Sequence, residues 1–128
     1  MQLDTVKYQA QLDDLARALR TVAERQDVAD SRDYFRKEMA LAYTLSAGLD
    51  SAPSWCRISC QIMRDHTNRL AGVCEALADH VSQPAGEAFW KAQFRALNDL
   101  ADEIENHLIE DAKPAEDFGP AVTQPLAL

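Results

Sequence analysis

Residues 54–81, SWCRISCQIMRDHTNRLAGVCEALADHV, decide the fold. Cys56, Met63, Leu70 and Leu77 recur every seven residues, and Cys60, Thr67, Cys74 and Val81 keep the same period. Two such rows, offset by four, share one side of an α-helix. Ile58, Ile62 and Val73 are expected to widen this stripe. Gly72 sits in the middle, where glycine costs roughly 1 kcal/mol relative to alanine, so close approach of a neighbouring helix is the expected reason for it.

The flanking segments repeat the pattern. From Leu3 to Asp27, the residues Tyr8, Leu12, Leu15, Leu19 and Val22 alternate at spacings of four and three, which is one apolar seam, and Asp30 or Ser31 is placed to cap the helix that follows. Arg32 to Leu49 begins charged and then turns apolar through Phe35, Met39, Ala42, Tyr43, Leu45 and Leu49. Its run ALAYTLSAGL is apolar nearly all round, so this helix is expected to be the most enclosed. Gly48 and the following Asp50-Ser51-Ala52-Pro53 read as a stop and a turn. From Ala85 to Asp111 a seam runs through Trp90, Phe94, Leu97, Ala101, Ile104 and Leu108, with Leu100 and Ile109 beside it.

The fold expected is therefore all-α, an antiparallel four-helix bundle with helices near 3–27, 32–49, 54–81 and 85–111 in a domain spanning 1–112. Residues 113–128 hold three of the chain's five prolines and read as an extended tail, with Phe118 and Leu126 as possible docking residues. A long amphipathic helix with a regular seam also suits a helical dimer, so a homodimer through the first helix is a further expectation.

Charge is unevenly placed. The formal net charge is −8, and residues 99–128 hold eight acids against Lys113 alone. Such a pole disfavours nucleic acid and anionic membranes as partners and suits a basic protein surface. The N-terminal residues carry acids early and show no apolar leader run, and no stretch is long and apolar enough to span a bilayer, so a cytoplasmic setting with free thiols is expected. The arginine- and alanine-rich composition points to a bacterial or phage origin.

Three chemical readings follow from the third segment. Cys56 and Cys60, one helical turn apart, are the spacing of a soft-metal thiolate pair; Cys74 shares the face, and the competing reading is a buried thiol in a core. His66, His80 and His107 lack the Glu-x-x-His pairs of a di-iron bundle, since Glu103 and His107 are spaced by four. The stretch Asp65-His66-Thr67-Asn68-Arg69-Leu70-Ala71-Gly72 resembles the histidine phosphotransfer domains, which are acidic four-helix bundles of this size. That resemblance implies an exposed His66 as phosphate acceptor with Arg69 to steady the phosphate. The glycine those domains place one turn after the histidine is Leu70 here, and Gly72 comes two residues late.

No nucleophile elbow, phosphate loop or zinc-protease motif occurs. Catalytic residues, metal and cofactor are therefore expected to be none. The function expected is a non-enzymatic regulator or inhibitor that binds a protein partner through Asp99, Asp102, Glu103 and Glu110.

Overall fold

The computed structural model describes residues 3–80 and 84–110. Four helices carry the chain: α1 (Thr5–Glu24), α2 (Arg32–Gly48), α3 (Arg57–His80) and α4 (Pro84–Glu110), with no β-strand among the described residues. The antiparallel four-helix bundle expected from the apolar periods is the fold. Helix boundaries fall within about three residues of the sequence reading.

The helices pair as two hairpins, α1 along α2 and α3 along α4, which then close on one another. Polar contacts fix the antiparallel registers. The Gln9 amide donates to the Ser46 carbonyl at 2.9 Å and to Asp50 Oδ1 at 2.8 Å, joining the start of α1 to the end of α2. Arg64 of α3 pairs with Glu105 of α4. Between the hairpins, the Tyr8 hydroxyl donates to Glu103, and Arg69 reaches Glu38.

Local chemistry explains the ends. The Asp4 carboxylate accepts from the Lys7 N–H at 3.1 Å and satisfies one of the orphan donors of α1. At the other end Arg32 donates from Nε to the Ala23 carbonyl at 2.6 Å and from Nη2 to the Arg25 carbonyl at 3.3 Å. That arginine closes α1 from the first turn of α2, and Ser31 makes no side-chain cap bond.

Between α2 and α3 the chain makes a 3₁₀ turn over Leu49–Ser54, then an extended Trp55 at φ −62° and ψ 132°. Helix α3 thus starts at Arg57 rather than at residue 54, because the extended Trp55 separates the 3₁₀ turn from the α-helical ladder. Ala52 and Trp55 fold inward there and close that end of the core.

The core runs from Tyr8, Leu12, Leu15, Leu19 and Val22 of α1 through Leu45 and Leu49, then Leu70 and Cys74, to Leu97, Leu100 and Ile104. The α1 seam is buried wholly within this chain. Helix α2 reverses its expectation: it buries only Glu38, Ala42, Leu45 and Ser46, and Tyr43 is exposed. Alanine favours a helix without requiring burial, so an alanine-rich run reports helicity rather than enclosure. Ile58, Ile62 and Ile109, placed beside the apolar seams by the sequence, are also exposed.

Gly48 and Gly72 exchange roles. A Cβ at Gly72 would meet nothing within 4 Å, whereas one at Gly48 would lie 2.5 Å from the Met63 methyl. Gly48 is where α2 and α3 approach closely. Gly72→Ala is expected to raise stability by about 0.5–1 kcal/mol, read as a higher denaturant midpoint at unchanged slope.

Candidate functional site

Helix α4 places its acids in three different settings. Asp99 and Asp102 are exposed and make no ion pair among the described residues. Glu103 is half-buried and accepts the hydroxyl of Tyr8, a residue wholly enclosed by the core. Glu105 faces α3 and pairs with Arg64. Glu110 ends the helix, and its side chain lies outside the described residues, as do Phe118 and Leu126. Of the four partner-binding candidates, Asp99 and Asp102 therefore stand on the outer face, while Glu103 is committed to an internal bond.

The outer face continues beyond the acids. Asp99, Asp102, Asn106 and Ile109 follow at spacings of three, four and three, which aligns them in one stripe, and all four are exposed. Ile109 is 72% exposed, among the most open large apolar side chains described. Sequence reading placed it beside the core seam; its position one residue past Leu108 turns it outward. One turn before Asp99 the same face is basic, with Arg95 exposed and Lys91 paired to Glu87 at 2.6 Å.

Helix α3 carries the other candidates. All three cysteines are buried and none forms a disulfide among the described residues. Burial pushes the Cys74 thiol up to about 12. Burial, with the charge of neighbouring Cys56 adding to it, pushes Cys60 up to about 11. Both shifts favour the protonated thiol in the metal-free chain. Among the described residues no group of three or more His, Cys, Asp or Glu is arranged to hold a metal ion.

His66 is half-buried on α3, and the residue that would steady its phosphate is already engaged. Arg69 donates from Nε to both Glu38 oxygens, at 2.9 and 3.2 Å, and from Nη2 to Oε1. The Glu38 side chain is fully enclosed, while that of Arg69 is 58% exposed. The hydrogen bond to Glu38, then its charge, raises the Arg69 pKa further. Tyr34, one turn before Glu38, has its phenol pushed up by burial first and by the Glu38 charge second. Glu38 was invisible to sequence reading because it follows Arg36 and Lys37 in a segment that looks solvated.

His107 takes an inner position near the start of α3. It is buried, with its ring edge-to-face against Trp55 at 6.0 Å between centroids. The side chain of His80 lies outside the described residues. An open cleft of about 370 Å³ between α3 and α4 is lined by Glu75, Ala78, Asp79, Lys91, Phe94 and Arg95. Its acids come from one helix and its cations from the other, so its charge is balanced internally. Among the described residues no helix is long and apolar enough to cross a membrane. The chain matches no protein-family model, no curated protein and no solved structure.

Two predictions follow from these settings. Tyr8→Phe removes one buried hydroxyl bond and is expected to cost about 1 kcal/mol, measured by urea unfolding, whereas Asp102→Asn is expected to stay within about 0.5 kcal/mol. The raised thiols give stability a sign with pH. The native chain keeps protons that an unfolded thiol releases above its ordinary value of 9.0, so this contribution is intact below that pH and is lost as pH rises toward 12. The thermal midpoint should accordingly fall above about pH 9, and Cys60→Ala with Cys74→Ala should flatten that fall.

Proposed function

We propose that this chain is a non-enzymatic protein-binding module, a small acidic regulator or inhibitor that meets a basic protein surface with the outer stripe of α4. The observation that carries the reading is the pair of exposed carboxylates, Asp99 and Asp102, aligned with the exposed Ile109. Exposed like charges steer an encounter with an oppositely charged partner, and an apolar side chain at the end of the stripe supplies a contact that gains by leaving water. Glu103 contributes by holding α4 against α1 through Tyr8 rather than by touching the partner. Glu110 extends the acidic stretch by its position in sequence.

The same reading carries a cytoplasmic setting, from the cysteine usage, and a bacterial or phage source, from composition. Self-association belongs to it only in a modified form, because the α1 seam is already buried in the chain's own core and a homodimer would use another face. Phosphotransfer through His66 and metal binding through Cys56 and Cys60 receive less support: Arg69 is engaged by Glu38, and among the described residues no group of three or more His, Cys, Asp or Glu is gathered around the cysteine pair.

The test is affinity capture from host lysate on the natural chain and on Asp99→Lys/Asp102→Lys in parallel, at low and high salt. The proteins retained by the natural chain are expected to bind the reversed chain roughly tenfold or more weakly, about 1.4 kcal/mol, with a smaller response to salt. Equal retention and equal salt response on both chains would overturn the assignment of the stripe.

A further inference from the structure

The cleft between α3 and α4 holds opposite charges apart. Glu75 and Asp79 stand one turn apart on α3, Lys91 and Arg95 stand one turn apart on α4, and all four are exposed. The helices run antiparallel, so these residues form an acidic wall and a basic wall along one opening. Among the described residues no ion pair joins the two walls: Lys91 pairs along its own helix with Glu87 at 2.6 Å, and Glu75, Asp79 and Arg95 make none. Between the walls lie the buried Ala78 and the half-buried Phe94.

The lining dictates what gains by entering. The opening measures about 370 Å³, at the lower end of the roughly 300–1,000 Å³ of small-molecule sites. A simple anion would meet Glu75 and Asp79 as well as the cations, and a simple cation would meet Lys91 and Arg95. A ligand that carries both signs gains on both walls. Packed helices have their axes about 8–10 Å apart, so its two charges must sit at opposite ends. The stretch that joins them then crosses Ala78 and the Phe94 ring, where methylene groups gain by leaving water.

We infer that this cleft binds a linear ω-amino acid, with its ammonium against Glu75 and Asp79, its carboxylate against Lys91 and Arg95, and its methylene chain over Phe94. An α-amino acid carries both charges on one carbon and reaches one wall at a time. The contacts lie at the surface, so each ion pair is screened and the affinity is modest. Selection between ligands comes from the spacing of the two charges. The inference does not rest on the protein partner proposed for α4, since purified chain and a small molecule suffice to test it.

The probes are ε-aminocaproate, its isomer norleucine, and the single-charge analogues caproate and hexylamine. Each is titrated into the full chain and followed by NMR at the Phe94 ring and the Ala78 methyl. ε-Aminocaproate is expected to shift both signals saturably and to bind about fivefold more tightly than each of the other three, the upper range for one exposed ion pair. Glu75→Gln with Asp79→Asn should weaken ε-aminocaproate by about the same fivefold without weakening caproate. Arg95→Gln should weaken ε-aminocaproate and caproate while hexylamine holds. All three substitutions fall at exposed positions, outside the core. Equal affinity for ε-aminocaproate and norleucine would overturn the inference, because the spacing of the charges would then select nothing. Signals that ignore ε-aminocaproate, or that respond equally in the acid-neutralised chain, would overturn it as well.

Discussion

Taking the Glu38 carboxylate out of water is tolerable only because Arg69 reaches it across the seam between α2 and α3 with two nitrogens. An enclosed carboxylate without a partner is among the more costly features a small core can hold. The two helices must therefore meet at the register that brings residues 38 and 69 together. Gly48 marks the close approach at the other end of the seam, where a side chain would oblige the Met63 methyl to move. The pair is half open to water on the arginine side, which lets the guanidinium keep part of its hydration. Its main effect is on alignment rather than on net stability, the use for which buried ionic groups are best attested.

The opposite seam is closed by a neutral donor and a charged acceptor, Tyr8 and Glu103. Together the two contacts give each hairpin one acid that serves the junction: Glu38 in the first and Glu103 in the second. Acids that serve the fold and acids that face outward are adjacent in sequence, as Asp102 and Glu103 demonstrate. A count of negative charge on α4 thus overstates the surface available to a partner. What remains is a narrow stripe with an isoleucine at its end.

The helices were legible because apolar spacing of three and four is a property of each segment alone. Tyr8, Leu12, Leu15, Leu19 and Val22 announce a buried seam, and all five are buried. What sequence did not show depends on residues far apart in the chain. Glu38 and Arg69 are thirty-one positions apart, and neither spacing nor composition marks them as a pair. The exposure of Ile58, Ile62 and Ile109 was hidden for a related reason. Each lies beside a true core row, and only the direction from which the next helix arrives decides whether the flank is covered. On α2, alanine misled in the other sense, because small apolar side chains satisfy a helix whether or not anything packs on them.

The division into two hairpins also bears on how the chain acquires its structure. Each hairpin is made by neighbours in sequence joined by a short turn, so its contacts form without closing a long loop, and topologies of this kind fold fast. The junction comes last in such an order, and with it the desolvation of Glu38. Until Arg69 arrives, the carboxylate stays hydrated at the edge of a half-formed core. If the hairpins form first, docking of the two halves sets the rate, which should then respond to substitutions at the seams more than to those within either hairpin.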